Sequence, residues 1–385
     1  MIEHFEQGPI RPPSEAGSLL LRFTRNCPWN KCAFCITFKG SRFERRPLEE
    51  IYSDIDTIRR ILDELYHSAD QQRLSSVTDE RFINFIMTKP QFDYQYKTLA
   101  NWLYRGSRTA FIQDANSLIM QTDALTAALR YLREQLPEVQ RVTSYARSNT
   151  VSRKSATEIQ EIHEAGLDRV HIGLESGSDE VLKRIRKGTT AQQHIDAGVK
   201  LVANGITLSE YVIPGMGGRA LSQKHAQETA RVLNAIDPHF IRLRSLRVIP
   251  GTPLEEMVRK GEFDPPDDEE IVQEIRLMVS ALDSVHSYLT SDHIRNLLEH
   301  IQGLFPHDKH SMLQRIDEYL AMSPDDKLLF RLGRRAGRLR TPEEIRDPLI
   351  RRQLQEARRD LGQHYGDIEE AITDLGKRFE IGQHP

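Results

Sequence analysis

Three cysteines make up all the thiol chemistry of this 385-residue chain, and they crowd into one stretch, Asn26-Cys27-Pro28-Trp29-Asn30-Lys31-Cys32-Ala33-Phe34-Cys35. A clustered, odd-numbered set argues for metal chemistry over disulfides. Structural zinc prefers four ligands, and neither a fourth cysteine nor a histidine lies nearby. An iron–sulfur cubane held by three thiolates instead keeps one iron open to a cofactor or substrate. Spacing alone favours the cluster and leaves zinc as the alternative. Farther along, His171, Gly173 and Glu175 share one face of a period-2 run whose other face is Val170, Ile172 and Leu174. Arg242 and Arg244 alternate with Ile241 and Leu243 in the same manner.

The elements that must carry these groups alternate. A strand begins at Leu19 and ends near Asn26, and further strand-like runs occur at Thr109–Asp114, Arg141–Ala146, Arg169–Glu175, Thr207–Ile213 and Phe240–Leu246. A helix starting at Pro47 runs to about Ser68 with Ile51, Ile55, Ile58, Ile61 and Leu62 on one face. Other helical stretches fall at about 122–136, 153–165, 179–203 and 222–235, several closed by a glycine such as Gly166 or Gly205. Six strands alternating with helices predict a parallel α/β domain with right-handed crossovers. Residues 69–108 interrupt the rhythm with a polar insertion, which reads equally as a lid or as a surface excursion with room for two short helices. No strand is evident beyond Pro265. The expected organisation is a lead-in over 1–17, a core over 18–261 and a helical C-terminal extension over 262–385.

Composition narrows the class. With 53 Lys+Arg against 56 Asp+Glu, the net charge of −3 gives no general pull toward nucleic acid. Hydrophobic residues at 38% and charged residues at 28% exclude global disorder. Apolar runs fall short of the ~20 residues of a membrane span. Met1–Pro13 lacks the basic patch and apolar stretch of a secretory leader, so a cytoplasmic protein without membrane attachment is expected. Arg331, Arg334, Arg335, Arg338 and Arg340 have helical spacing, but Glu343 and Glu344 soon follow, which favours a solvated helix face over a nucleic-acid patch. Ser291-Asp292-His293 reads as a helix start with Ser or Asp as the N-cap.

With three cysteines after the first strand and Phe34 directly before the third, the sequence resembles the radical S-adenosylmethionine superfamily over about residues 18–260. Its loop reads Cys-x4-Cys-x2-Cys, one residue longer than the commonest Cys-x3-Cys-x2-Cys. The resemblance implies a partial (β/α)6 TIM-like barrel and a [4Fe–4S] cluster on Cys27, Cys32 and Cys35. It also implies S-adenosylmethionine as second cofactor, oxygen sensitivity, and a flavodoxin- or ferredoxin-like electron donor. Gln113-Asp114-Ala115-Asn116 stands where relatives carry a Gly-Gly-Glu-like motif, so Gln113, Asp114 and Asn116 become candidate acceptors for the methionyl amine. The segment from His171 to Ser178 resembles the fourth-strand motif of oxygen-independent coproporphyrinogen oxidase-related members. By that likeness Glu175 and Ser176 meet ribose hydroxyls, Lys187 meets the methionyl carboxylate, and Ile213 and Gly215 cover adenine. The plainer alternatives are a helix N-cap for Asp114, a paired core acid for Glu175 and helix capping for Lys187.

In such a barrel, charges alternating with apolar residues line a cavity. Tyr145, Arg147, His171, Glu210, Arg242 and Arg244 would form a mixed-charge lumen and are the catalytic candidates. Inward arginines favour a small anionic substrate, with Arg244 touching it and Arg242 supported through Glu210. The alternative is that both arginines pair with Glu175 and Glu210. The expected function is reductive cleavage of S-adenosylmethionine to a 5′-deoxyadenosyl radical that abstracts hydrogen from that substrate. A non-catalytic, zinc- or cluster-stabilised barrel acting as a binding protein is the rival from another class.

Overall fold

The computed structural model describes residues 4–74, 76–365 and 367–378. Residues 1–3 of the expected lead-in and 379–385 of the expected extension lie outside the described residues.

β1 (Leu19–Arg22), β2 (Thr24–Arg25) and β3 (Glu44–Arg45) precede α1 (Leu48–Gln71). Pro47 caps α1, and Ile51, Ile55, Ile58, Ile61 and Leu62 are buried as the single stripe their spacing predicts. The insertion forms α2 (Glu80–Thr88) and α3 (Tyr94–Tyr104), each opened by an aspartate that accepts a first-turn N–H. α3 packs on α1, where the Tyr96 hydroxyl meets Glu64 at 2.6 Å, and Gln95 pairs with both backbone groups of Phe5. The insertion is thus a side excursion.

The chain then alternates through β4 (Thr109–Gln113), α4 (Thr122–Gln135), β5 (Arg141–Ala146), α5 (Ser148–Val151), α6 (Ala156–Glu164) and β6 (Arg169–Glu175). It continues through α7 (Asp179–Arg184), α8 (Ala191–Ala203), β7 (Thr207–Val212), α9 (Gly218–Ile236) and β8 (Phe240–Leu243). The expected single helix over 179–203 is two helices, because Arg186 and Gly188 adopt positive φ values of 54° and 69° that an α-helix cannot continue through.

The extension is not purely helical. After α10 (Pro253–Arg259) and α11 (Asp268–Ser280) come β9 (Tyr288–Thr290) and β10 (Gln302–Leu304), then α12 (Lys309–Leu320), α13 (Pro324–Arg335), α14 (Pro348–Tyr365) and α15 (Ile368–Arg378). β9 joins β8 in parallel register, Ile241 opposite Leu289, and β10 returns antiparallel to β9. Among the described residues the main sheet has eight strands in the order β1-β4-β5-β6-β7-β8-β9-β10. The strand order from β1 through β8, with parallel pairing of β1 to β4, β4 to β5, β5 to β6 and β7 to β8, is that of a partial (β/α)6 barrel, as predicted.

Two compact units divide the chain: residues 1–30, 35–172 and 200–208 form one, and 31–34, 173–199 and 209–385 the other. The first is built on α1 and the strands β1, β4 and β5. The second holds the exit of β6, most of β7, and everything from β8 onward.

Candidate active site

The cysteine loop leaves β2 through Asn26 and Asn30, both in the left-handed region with φ of 68° and 49°, which asparagine tolerates better than bulkier residues. The Asn26 N–H donates to Asp114 Oδ2 at 2.7 Å, and the Asn30 N–H points at Cys27 Sγ at 3.4 Å. In the second unit the Ala33 N–H donates to the Ile185 carbonyl at 2.8 Å, while the Ala33 carbonyl accepts from Leu254 at 3.0 Å. None of the three cysteines forms a disulfide and each is half-buried. A donor set of three thiolates, on a chain with no fourth cysteine, fits an iron–sulfur cubane with one open iron.

In the first unit, Asp114 sits just past β4 with φ of 70° and is fully buried. Arg22 donates to its Oδ2 at 2.7 Å, and its Oδ1 has no hydrogen-bond partner among the described residues. Burial raises its pKa in spite of the Arg22 contact. Gln113 spends its amide on Gly8 and Ile10 of the N-terminal segment, and Asn116 spends its own on Thr150 and the Arg147 N–H. Asp114 alone of this stretch keeps an unpaired oxygen, and it caps no helix. Tyr145 packs edge-on against Phe111, and the Arg147 guanidinium lies 5.2 Å from the Trp29 ring centre.

His171 lies beside Tyr145, with ring centres 5.8 Å apart. It is fully buried and its Nε2 lies 3.3 Å from Glu15, which also takes the Ser18 hydroxyl at 2.5 Å and faces Arg141. Burial alone would raise the Glu15 pKa, but hydrogen bonds from His171 and Ser18 and the charges of His171 and Arg141 hold it below the usual carboxylate value.

In the second unit, Glu175 closes β6 in the left-handed region with φ of 60°, an arrangement that costs about 1–3 kcal/mol unless its surroundings hold it. Lys187 Nζ meets Glu175 Oε1 at 2.8 Å and lies 6.0 Å from the Phe34 ring centre. Gly173 makes room for that pair, since a Cβ there would lie 2.2 Å from Glu175 Oε1. Phe34 and Ile213 both pack against the cluster of Val181, Ile185 and Met216, and the Ile213 N–H donates to the Glu175 carbonyl at 3.2 Å. Phe34, Glu175, Ser176, Lys187, Ile213 and Gly215 are thus brought together within one unit. Glu210 on β7 is fully buried, and neither carboxylate oxygen is hydrogen-bonded among the described residues. Burial, with the Glu175 charge adding to it and Lys187 opposing, pushes its pKa well above the ordinary value.

Arg242 and Arg244 share a face as expected, but their partner is neither Glu175 nor Glu210. Asp292 takes both, Oδ2 from Arg242 at 3.3 Å and Oδ1 from Arg244 at 3.0 Å. Arg242 is further supported by Ser209 at 3.1 Å, and the Arg244 guanidinium lies 4.6 Å from the Tyr211 ring centre. Ser291-Asp292-His293 starts no helix: the segment is an irregular loop pinned by Asn296, which donates to the Leu243 and Ser291 carbonyls. His293 bonds to Ser245 at 2.9 Å. The Arg331–Arg340 series is not simply a solvated face. Arg334 is buried against Glu299 and the Ile294 and Asn296 carbonyls, and Arg331 and Arg335 pair with Asp268.

Asp292 escaped the sequence reading because its partners lie some fifty positions away; the signal was its spacing beside Ser291 and His293, which a helix cap shares. The Radical SAM superfamily profile matches residues 21–231, more than half of the chain. This chain belongs to the radical SAM superfamily. It is an enzyme, and the cofactors of its family are a [4Fe–4S] cluster and S-adenosylmethionine. The tRNA uridine(34) acetyltransferase of Methanocaldococcus infernus is 30% identical over 122 residues, 31% of this chain and 23% of that protein. The tRNA uridine(34) acetyltransferase of Methanocaldococcus jannaschii is 25% identical over 291 residues, 71% of this chain and 50% of that protein. The chain therefore spans half or less of the length of these relatives. Among solved structures, the cobalamin-dependent S-adenosylmethionine radical enzyme OxsB is similar at 16% identity and a TM-score of 0.45, over 95% of this chain and 54% of that one. Among the described residues, no helix of this radical SAM enzyme is long and apolar enough to cross a membrane.

Proposed function

We propose that Cys27, Cys32 and Cys35 ligate three irons of the cluster and that residues of the second unit hold S-adenosylmethionine. When bound, the cluster supplies the electron that cleaves the C5′–S bond of S-adenosylmethionine to a hydrogen-abstracting 5′-deoxyadenosyl radical. Glu175 and Ser176 accept from and orient the ribose hydroxyls, Lys187 neutralises the methionyl carboxylate, and Phe34, Ile213 and Gly215 give adenine an apolar, close-approach wall. The Glu175–Lys187 pair carries this reading: 2.8 Å apart, at a strained strand end, on residues the family motif singles out. Glu175→Ala and Lys187→Ala should each weaken S-adenosylmethionine binding about 10- to 150-fold with iron content unchanged. Unchanged affinity in both, by equilibrium dialysis under anaerobic conditions, would make the pair structural.

For the substrate, an anionic group gripped by Arg242 and Arg244 is the first reading. Asp292 already holds both guanidinium groups with its two oxygens, and a substrate carboxylate or phosphate offers the same geometry. A flavodoxin- or ferredoxin-like protein would supply the electron. A second reading, a nucleotide of tRNA, is favoured by the likeness over 291 residues to a tRNA uridine(34) acetyltransferase; its phosphodiester would be the anion. Deoxyadenosine formation measured with and without added tRNA separates the two. Under either reading Arg244→Lys, which keeps charge but loses the planar fork, should reduce substrate turnover while sparing uncoupled deoxyadenosine formation. Loss of S-adenosylmethionine binding in that variant would instead move Arg244 into the cofactor site.

A further inference from the structure

Behind the proposed cofactor pocket a buried polar junction joins β6, α9 and α11; it touches the proposed contacts Ser176, Ile213 and Gly215, while His225, Thr229 and Glu274 are not among them. His225 on α9 is 1% exposed. Its Nε2 lies 3.1 Å from the Ile213 carbonyl oxygen, which can only accept, so this nitrogen carries hydrogen. Its Nδ1 lies 2.8 Å from Ser176 Oγ, which accepts the Ser178 N–H at 3.0 Å, and 3.2 Å from the Thr229 hydroxyl oxygen. One helical turn on, Thr229 accepts the Gly177 N–H at 2.9 Å. A side chain at 177 has no room, since its Cβ would lie 2.3 Å from the Glu228 carbonyl oxygen and 2.6 Å from Thr229 Cα. The exit of β6 is thus pressed onto the backbone of α9.

Glu274 of α11 holds the neighbouring turn. It is 4% exposed, accepts the Gly215 N–H at 2.6 Å and the Ser222 hydroxyl at 2.5 Å, and lies 3.5 Å from His225 Nε2. Gly215 has φ of +85°, and a Cβ there would press on Pro266 at 3.0 Å. The turn therefore has one backbone shape and one buried anchor.

We propose that His225 and Glu274 are positioning residues for S-adenosylmethionine: His225 fixes the separation of Ser176 from Ile213, and Glu274 fixes the turn at Gly215. This rests on the assignment of Glu175, Ser176, Ile213 and Gly215 as cofactor contacts. Removing Glu274 leaves the buried Gly215 N–H without its acceptor, and removing His225 takes one of two donors from the Ile213 carbonyl, which keeps the Met216 N–H at 3.2 Å, together with the partner of Ser176; the turn and the strand end are then free to shift. Contacts on both would then lose alignment together. Glu274 lies outside the family-matched residues 21–231, so the extension acquires a role in cofactor binding that the family match does not carry.

The test is S-adenosylmethionine affinity of the full-length, anaerobically reconstituted protein, with the change it induces in the electron paramagnetic resonance spectrum of the reduced cluster as second readout. His225→Ala and Glu274→Ala should raise Kd about 5- to 20-fold at unchanged iron content, with deoxyadenosine formation at saturating cofactor largely retained. His225→Gln, whose amide can still reach the Ile213 carbonyl, and Glu274→Gln, whose oxygen still accepts the Gly215 N–H, should recover most of the affinity. If Kd is unchanged in all four variants while Glu175→Ala weakens binding, the positioning role is wrong and the site assignment stands. If Glu175→Ala is also without effect, the site assignment fails and the positioning role with it. Should His225→Ala not fold, the Glu274 pair decides by the same comparison.

Discussion

Glu210 is fully buried on β7, and neither of its carboxylate oxygens has a hydrogen-bond partner among the described residues. A carboxylate with no hydrogen bond, fully buried and near Glu175, is disfavoured by desolvation and by like charge, so the acid stays protonated well above its usual range. Its folded pKa exceeds the unfolded value near 4.5, so over that interval the folded state binds more protons and stability falls as pH rises. Glu210→Gln keeps the shape and removes the ionisable group. It should raise Tm at pH 8 and change it little at pH 5; a lower Tm at both would mean that the carboxylate is satisfied by something the neutral amide cannot replace. His293 has the opposite bias: burial, then Arg244, Arg295 and Arg247, push its pKa down to about 4. Among single residues, Cys27, Cys32, Cys35, Glu175 and Lys187 stand out in the sequence because they fall in short, motif-like spacings. Asp292 and Glu274 do not, because each acts on partners that only the fold brings near, and an isolated acid in sequence looks like a helix cap or a surface charge.

At the scale of elements, the strands β4 to β8 were legible because each presents an apolar run between turn residues, and α1 because its isoleucines recur at helical spacing. β9 was not, since Tyr288–Thr290 is too short to show any alternation. Its place beside β8 makes it part of the sheet. Leu289→Ala, at a fully buried position opposite Ile241, should cost about 2–5 kcal/mol and lower Tm accordingly. Leu349→Ala, on a side chain 71% exposed, should stay within about 0.5 kcal/mol. Equal effects in thermal melts would place β9 outside the folded core. The same strand precedes the loop that brings Asp292 to Arg242 and Arg244, which is why a segment read as an appendage reaches the candidate substrate site.

For the whole molecule, candidate residues in each unit fall at strand ends where the backbone departs from regular geometry: Asp114 after β4 in the first unit, and Glu175 ending β6 and Gly215 after β7 in the second, all have positive φ. The cysteine loop shares this feature at Asn26 and Asn30. Family membership supplies the cofactor pair, and the chain's own residues decide how the pair is held and what is presented to it. The most direct measurement is formation of 5′-deoxyadenosine from S-adenosylmethionine by anaerobically reconstituted protein reduced with dithionite, beside a variant with Cys27, Cys32 and Cys35 all changed to Ala. The expected result is about four irons per chain and deoxyadenosine from the parent, with neither from the variant. One equivalent of zinc without iron, or a full cluster that yields no deoxyadenosine, would contradict the proposed chemistry.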